Sequence, residues 1–374
     1  MIVPFYDSTR EYRARKADFD AAVGNVMARG DFILGNEVSE FEKEAAAWLG
    51  TKHAIGVGSG SEALVLGADI LGFRDGAEVL TPTFTFFAST SCIARLGGKP
   101  VFVDMNEETL NMDIADAERR VTKTTKGIMP VHLFLQPTPM AEVISLAKSH
   151  RLQVIEDAAE GWGMECKIDS TWRKAGTMSD IGIFSFFPTK TLGAYGDAGL
   201  MVTNDDRLAG LIRSYRVHGS SVKYCHDYVG YNSRLDTIQA AILRVKLRTT
   251  DESIEARSRH GKHYSDRLSK IPGLRLPGVQ GSNRPVYYVY NILVPHRDEL
   301  AQHLKEQGIG WSIYYPVPLH LQKCFSYLGH REGDFPVAER ISKEILALPM
   351  YPELRDDEVD YVCDKIAVFY EKRP

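Results

Sequence analysis

The chain has 374 residues, of which 44% are hydrophobic and 25% are charged, and its net charge is −4. This composition is typical of a globular protein that is large enough for two domains. The slightly negative charge provides no basic face, and no apolar run approaches the ~20 residues of a membrane span. We therefore expect neither a nucleic-acid partner nor a membrane partner.

The first residues and the cysteines indicate where the protein works. The stretch "MIVPFYDSTREYRARK" lacks the apolar run and the small-residue cleavage site of a signal peptide. The five cysteines are scattered along the chain and form no CxxC pair. We therefore expect a cytoplasmic protein with reduced thiols, without a metal site or a disulfide framework.

Short apolar strands alternate with helices over the first half of the chain, after a helical pattern over residues 16–48 that is broken at "RGDFILG". The predicted helices are "SEALVLGADILG", "FASTSCIARLG" and residues 139–150. The predicted strands are "HAIGVGSG", "AEVLTP", "KPVFVDM", "TKGIMPVHLF", "LQVIEDAAE", "DIGIFSFF" and "AGLMVTND". This alternation predicts an α/β fold with a mostly parallel sheet that is covered on both faces. Ligands of such sheets bind at the carboxyl ends of the strands.

The second half of the chain follows a different pattern. A long helix is predicted over 234–249, and a charged helix follows it to about residue 270. Beyond these, "VYYVYNILV" and "GWSIYYPV" are predicted as strands, "RDELAQHLKEQGI" as a helix, and the chain closes with two helices around "LPMYPELRDDEVDYV". We therefore predict a large α/β domain over residues 1–249 and a smaller α+β domain over 250–374. The N-terminal segment is a candidate to pack on the smaller domain.

One lysine stands between an aromatic run and a glycine-rich turn, in "FSFFPTKTLGAYGDAG". Partial burial in such surroundings lowers the pKa of an amine and makes Lys190 a candidate nucleophile. The alternative is a solvated lysine after a buried strand, which is the commoner situation for any one lysine.

Three other stretches carry side chains that suit the same chemistry. In "GVGSGSEAL", the strand-to-helix turn at Gly60, Ser61 and Glu62 offers N–H groups and a helix dipole to a phosphate, although many such turns are only tight connections. Asp157 ends the strand in "VIEDAAE" and either caps a helix or pairs with a buried cation. Phe86, in "PTFTFFAS", either stacks on a flat ring or fills the core.

Taken together, these features meet the needs of pyridoxal phosphate. That cofactor requires an amine for a Schiff base and an anion beside its pyridinium nitrogen, which keeps the ring protonated as an electron sink. It also requires a stacking surface and a cradle for its phosphate. The sequence therefore predicts an enzyme that depends on pyridoxal 5'-phosphate.

With these motifs the chain resembles the DegT/DnrJ/EryC1/StrS sugar aminotransferases, which are fold-type I pyridoxal phosphate enzymes. The resemblance runs from "GDFILGNEVSEFEKEAA" to "LPMYPEL", and "FSFFPTKTLGAYGDAG" and "NSRLDTIQAAIL" are its most specific segments. It implies transamination of a nucleotide-linked keto sugar with L-glutamate as the amino donor. It also implies a homodimer with shared active sites. The serine of "NSRLD" favours a 3-keto hexose, linked to dTDP or UDP.

The resemblance assigns cofactor roles to several residues. Lys190 would form the Schiff base and Asp157 would meet the pyridine nitrogen, while Phe86 would stack on the ring. Glu160 stands where the family usually has glutamine, near the ring hydroxyl. The phosphate would be bound by residues of two subunits, namely Ser61, Glu62 and Ser185 of one chain and Asn232 of its neighbour.

The resemblance also implies a sugar side. Arg234 would meet the carboxylate of the donor or the sugar, and Tyr315 and His320 would line the sugar pocket, although an aromatic beside prolines is often only a packed corner. His132 is more simply a core histidine. The chain departs from the family pattern at Leu135, Trp162 and Ala198, and we expect the first two of these to reshape the sugar pocket.

Three other functions are compatible with this scaffold. The first is amination of a 4-keto sugar, of the perosamine type. The second is a dehydratase with the same cofactor, but in such relatives the Schiff-base lysine is usually replaced by histidine. The third is a regulatory protein without catalysis, in which the Lys190 and Asp157 pair is expected to decay.

Overall fold

The computed structural model describes residues 1–276, 278–281 and 283–371. The strands in this part of the chain are β1 (His53–Val57), β2 (Glu78–Pro82), β3 (Lys99–Val103), β4 (Thr125–Ile128), β5 (Gln153–Asp157), β6 (Glu165–Ile168), β7 (Thr171–Lys174), β8 (Ile181–Ser185), β9 (Gly199–Thr203), β10 (Ser220–Val222), β11 (Cys225–His226), β12 (Tyr290–Leu293) and β13 (Ile345–Leu348). The helices are α1 (Ser8–Ala14), α2 (Lys16–Arg29), α3 (Asn36–Leu49), α4 (Gly60–Ile70), α5 (Ala88–Arg95), α6 (Ile114–Arg120), α7 (Met140–His150), α8 (Asp206–Tyr215), α9 (Thr237–Leu247), α10 (Thr250–Leu268), α11 (Arg297–Glu306), α12 (Pro336–Glu344) and α13 (Asp356–Glu371), with 3₁₀ segments at Leu319–Leu321 and Lys323–Leu328.

A seven-stranded sheet in the order β1-β9-β8-β5-β4-β2-β3 forms the centre of the large unit. Strand β9 is antiparallel to both of its neighbours, whereas the pairs β8–β5, β5–β4, β4–β2 and β2–β3 are parallel. The predicted mostly parallel sheet is confirmed. Because β5 and β8 are parallel neighbours, their carboxyl ends, at Asp157 and Ser185, meet at one edge of the sheet.

Both faces of the sheet are covered, as the apolar strands require. Successive residues of β8 show this, because side chains alternate between the faces of a strand. Ile183 packs in one cluster with residues of α4 and α8, and Phe184 packs in another cluster with residues of α3 and α9. The strand is therefore held between two apolar layers, which fixes the position of the loop that follows it.

The C-terminal unit is built around the antiparallel pair β12–β13 and the helices α10, α11 and α13. The N-terminal segment packs on this unit, since Val3 belongs to its apolar cluster. The N–H of Val3 donates to the carbonyl of Gly308 (2.9 Å), and the N–H of Gly310 donates to the carbonyl of Val3 (2.8 Å). Helix α10 begins at Thr250, but the predicted division of the chain at 249/250 stays a prediction.

Two predicted strands differ from the structure. In "GWSIYYPV" only an isolated bridge joins Ser312 to Ala347, and no strand forms. The strand predicted in "TKGIMPVHLF" ends at Ile128, because Pro130 lacks the N–H that a ladder requires. Strand β13, which pairs with β12, was not predicted. No helix within the described residues is long and apolar enough to cross a membrane.

Candidate active site

A cavity of about 570 Å³ lies where β5 and β8 end and α4 begins. Most of the predicted site residues line it: Gly60, Ser61, Phe86, Asp157, Glu160, Ser185, Lys190 and Tyr315. These residues come from segments that are far apart in the chain, and the sheet brings them to one edge. The position agrees with the rule for parallel sheets.

The turn before α4 faces Ser185 at very close range. Ser59 caps the helix, since its Oγ accepts a hydrogen bond from the N–H of Glu62 (3.1 Å). A Cβ on Gly60 would lie 2.6 Å from the Cβ of Ser185, which leaves room only for glycine. The start of the helix and the hydroxyls of Ser61 and Ser185 therefore line one wall, which suits a phosphate group.

Glu62 contributes less to this wall than expected. Its N–H is taken by Ser59, and its carboxylate lies 3.7 Å from a guanidinium nitrogen of Arg95. The residue does not line the cavity within the described chain. Its side chain is therefore not among the groups that would face a phosphate bound in the cavity.

Asp157 is buried on the floor of the cavity, with 3% of its surface exposed. The hydroxyl of Ser89 donates to Oδ2 (2.7 Å), and the N–H of Ala159 donates to Oδ1 (3.0 Å). Turns and not a helix follow it, so Asp157 does not cap a helix. Burial raises the pKa of this carboxyl. A cationic ring nitrogen facing Asp157 would offset that cost.

Lys190 lies inside the cavity and not on the surface, because only 14% of its side chain is exposed. Its Nζ is 3.3 Å from Oε1 of Glu160 and 4.3 Å from the centre of the Tyr288 ring. Burial alone lowers the pKa of this amine, but Tyr288 and Glu160 raise it more, so its pKa lies above the usual value in this structure. Our expectation of a lowered pKa was therefore wrong for the chain without cofactor, since burial is outweighed by the neighbouring groups.

Glu160 is held in a fixed orientation beside the lysine. Its Oε2 accepts a hydrogen bond from the N–H of Phe134 (2.9 Å), and only 5% of the residue is exposed. The other carboxylate oxygen is therefore directed to Lys190. The carboxylate of Glu160 therefore places a negative charge beside the amine.

Phe86 is 56% exposed, which excludes the alternative of a core residue. Its ring centre lies 6.2 Å from that of Tyr315, and both residues line the cavity. An exposed aromatic face at the mouth of a cavity is suited to stacking on a flat ring. Tyr315 also packs against Phe84 and Phe134, so it is both a packed corner and part of the cavity wall.

The two histidines singled out in the sequence are both buried and bonded outside the cavity. The ring of His320 lies 2.9 Å from Oγ1 of Thr83 and 3.0 Å from Oε1 of Glu339, so both nitrogens are occupied. The expectation that His320 lines the sugar pocket is therefore not met by this structure. His132 pairs with Glu156 (2.8 Å), as expected of a core histidine.

Asn232 and Arg234 do not line the cavity of their own chain within the described residues. Asn232 is exposed and forms a backbone bridge to Val217. Between them, Ser233 is buried, and its Oγ accepts a hydrogen bond from the N–H of Gly58 (3.3 Å). The segment thus packs on the turn before α4 while its two polar side chains stay out of the cavity of the same chain.

Neither Leu135 nor Trp162 is among the described residues that line the cavity, so an effect of either residue on the sugar pocket stays a prediction. Trp162 stacks on Trp48 with ring centres 4.6 Å apart, and its Nε1 donates to Oγ1 of Thr250 (3.0 Å). Sequence reasoning missed other lining residues: Thr85, Thr189, Asp197, Tyr288, Ile313 and Tyr314. Only the aromatic run "VYYVYNILV" could have drawn attention to Tyr288, and we assigned that run to a strand.

Comparison with known proteins identifies the family of the chain. The family model described as "DegT/DnrJ/EryC1/StrS aminotransferase family" matches residues 13–367. A "Pleiotropic regulatory protein" of Geobacillus stearothermophilus is 45% identical, over 99% of both chains. The "dTDP-3-amino-3,4,6-trideoxy-alpha-D-glucose transaminase" of Streptomyces venezuelae is 37% identical, over 99% of this chain and 97% of that protein. The crystal structure of S. venezuelae DesV in complex with a ketimine intermediate has a TM-score of 0.95 and 37% identity, and the match covers 99% of each chain.

The chain therefore belongs to the DegT/DnrJ/EryC1/StrS aminotransferase family, and it is an aminotransferase that uses pyridoxal phosphate. The cavity fits that cofactor on its own geometry. It offers a glycine turn that no side chain can fill, a buried carboxylate, an exposed aromatic ring and one amine.

Proposed function

We propose that this aminotransferase transfers an amino group from L-glutamate to a nucleotide-linked keto sugar, preferentially a 3-keto hexose on dTDP or UDP. The observation that carries the proposal is that Lys190 and Asp157 lie in one cavity beside the start of α4. The name of the S. venezuelae relative, a transaminase of a dTDP-3-amino sugar, supports the substrate class.

The residues of the cavity divide the chemical work. Pyridoxal phosphate, when bound, supplies an electron sink for the α-carbon of the donor. The Nζ of Lys190 would remove the α-proton of the donor as a base and then, as an acid, deliver it to the carbon of the cofactor that is bonded to the amino nitrogen. The carboxylate of Asp157 would stabilise a proton on the ring nitrogen of the bound cofactor. Gly60, Ser61 and Ser185 hold the phosphate, and Phe86 orients the ring.

The charges of the cavity call for a second subunit. Its described lining contains three carboxylates, from Asp157, Glu160 and Asp197, but only one amine, from Lys190. Glutamate and a nucleotide sugar are both anions, and they require cations beyond the one amine that the described residues place in this cavity. We propose that Asn232 of a second copy binds the phosphate and that Arg234 of the same copy binds the donor carboxylate or the sugar.

The surface of the chain supports a homodimer. Around the hairpin β10–β11, Tyr224 is 84% exposed and Val229 is 94% exposed, although both are large and apolar or aromatic. Phe187 (50% exposed) lines the cavity, and Phe87 (44% exposed) follows the lining residue Phe86 in the chain. Apolar side chains exposed in this number are typical of a protein interface.

Two of the alternatives are weakened by the same residues. A dehydratase of this scaffold is expected to lack the Schiff-base lysine, and Lys190 is present and lines the cavity. A regulatory protein, as the name of the Geobacillus relative describes, has no need of a buried Asp157 facing the same cavity. A comparison of 3-keto and 4-keto sugar substrates distinguishes our proposal from the 4-keto alternative.

A half-reaction panel tests the proposal. The purified chain is loaded with pyridoxal phosphate, and the visible absorbance is followed as L-glutamate is added. We expect bleaching, and then recovery of the absorbance with a 3-keto sugar on dTDP or UDP. Recovery only with 4-keto sugars would move the assignment to C4. A chain that binds the cofactor but never bleaches with any amino donor would favour the regulatory alternative.

A further inference from the structure

Tyr288 comes from the C-terminal unit but lines the cavity of the large unit. It is 5% exposed, and the centre of its ring lies 4.3 Å from Nζ of Lys190. The same nitrogen is 3.3 Å from Glu160 Oε1. The amine therefore contacts an aromatic face as well as a carboxylate.

Both the backbone and the hydroxyl of Tyr288 are held in place. Arg257 is 1% exposed, and its Nη1 donates to the carbonyl oxygens of Tyr287 (3.1 Å), Tyr288 (3.0 Å) and Met350 (3.0 Å). The hydroxyl of Tyr288 is 3.4 Å from Oγ1 of Thr189, the residue before the lysine. The buried guanidinium thus holds the backbone of Tyr288, and the lysine loop contacts its hydroxyl.

We propose that Tyr288 is a further residue of the active site, where its ring face binds the charged form of the Lys190 amine, and that Arg257 is the residue that positions it. The proposal rests on the function proposed for Lys190. An ammonium group within about 6 Å of the centre of a tyrosine ring is attracted by the negative face of that ring. A carboxylate competes for the proton that the lysine carries, whereas a ring face cannot accept it. Tyr288 therefore stabilises the protonated amine between its two proton transfers without accepting its proton.

Other groups act on the same amine and set the background of any test. Asp157, Glu160 and Asp197 line the cavity from the large unit, and the phenols of Tyr314 and Tyr315 line it from the C-terminal unit. Lys190 also lines a smaller pocket, together with Glu11, Lys246, Arg257 and Glu353. All of these residues are kept in every variant of Tyr288. A difference between variants therefore reports the ring or the hydroxyl of Tyr288.

The test measures the protonation of Lys190 directly, without turnover. The full chain is freed of cofactor and labelled briefly with acetic anhydride at a series of pH values, and mass spectrometry follows the peptide that contains Lys190. Tyr288→Phe keeps the ring and removes the hydroxyl. Tyr288→Leu and Tyr288→Met both remove the ring, and the flexible methionine refills its volume if leucine does not fold. Tyr287→Leu is the matched control, because Tyr287 packs on Tyr290 and is not among the described residues that line the cavity.

We expect the half-labelling pH of Lys190 to fall by about one unit when the ring is removed, which corresponds to about 1.4 kcal/mol. In Tyr288→Phe, which keeps the ring but loses the ionisable hydroxyl, the fall is smaller than in the ring-free variants, and the control stays near the wild-type value. An unchanged value in both ring-free variants, or an equal fall in Tyr287→Leu, would overturn the proposal. Because labelling needs no substrate, this result is independent of whether the half-reaction panel identifies a sugar. Failure of that panel counts against the function and not against the contact.

Discussion

Gly60 and Ser185 approach each other so closely that a Cβ on the glycine would lie 2.6 Å from the Cβ of the serine. Gly60 is the first residue of α4, where alanine is usually the better helix former. The glycine is therefore explained by the close contact with Ser185 and not by the helix. This contact joins the phosphate-facing turn to the end of β8, five residues before Lys190.

Gly60→Ala is expected to weaken binding of pyridoxal phosphate about tenfold or more, because Ser185 and the helix start must move apart to admit the methyl group, at a cost of about 1–3 kcal/mol. Fluorescence titration with the cofactor measures the effect. Gly210→Ala is the control, since Gly210 lies within α8 and a Cβ at this position would meet nothing within 4 Å. Equal affinities in the two variants would show that the close contact does not matter for the cofactor.

Asp157→Asn is expected to keep the cofactor but to slow turnover about 100-fold, because asparagine accepts a hydrogen bond without stabilising the proton as an anion does. Steady-state kinetics with the substrate found in the panel measure the loss. Near-normal kinetics in this variant would remove Asp157 from the catalytic group.

The same substitution gives a second, independent result in the chain without cofactor. Burial raises the pKa of Asp157 in the folded state, so the folded chain holds its proton more tightly than the unfolded chain. The destabilising effect of the charge is therefore absent below the unfolded pKa and appears as pH rises through the folded pKa. Asp157→Asn should raise the melting temperature at pH 8 and not at pH 4. The opposite dependence on pH would contradict this account of the carboxylate.

Glu160→Gln is expected to lower the half-labelling pH of Lys190, because the carboxylate 3.3 Å from Nζ is one of the groups that raise the pKa of this amine. Glutamine can still accept the hydrogen bond from the N–H of Phe134, so the loop should keep its position. The acetic anhydride assay measures the shift. Glu40→Gln on the surface of α3 is the control. If Lys190 titrates identically in both variants, Glu160 does not control its charge.

The site residues that could be predicted from the sequence lie at the ends of strands or in short motifs with several informative residues. Asp157 and Lys190 could be placed because β5 and β8 are short apolar runs whose carboxyl ends must meet in a parallel sheet. Phe86 could be named, but its exposure could not be known before the structure. His320 was misplaced because its partners, Thr83 and Glu339, come from remote segments that no local pattern connects to it.

The C-terminal unit was harder to predict for a similar reason. Alternating apolar residues in "GWSIYYPV" favour a strand, but a strand also requires a neighbour with free backbone groups. Here β12 pairs with β13, and Tyr314 and Tyr315 line the cavity instead. Tyr288 reaches Lys190 only because the two units pack together. Contacts of this kind depend on the tertiary arrangement and leave no mark in the sequence.

Mixed dimers test whether active sites are shared. Lys190→Ala and Arg234→Ala chains are each expected to be inactive, and subunit exchange should restore part of the activity, because one site in the mixed dimer then has both residues intact. Light scattering and a tag-exchange assay establish that mixed dimers form. If they form and remain inactive, each chain supplies its own arginine.

The most direct test of the account asks which amine carries the cofactor. The chain is loaded with pyridoxal phosphate, reduced with borohydride and digested, and mass spectrometry locates the phosphopyridoxyl group. We predict that the group is found on Lys190 and that Lys190→Ala abolishes both the label and turnover, by several powers of ten in rate. A label on another lysine of the wild-type chain, or a Lys190→Ala chain that still turns over substrate, would contradict the central claim.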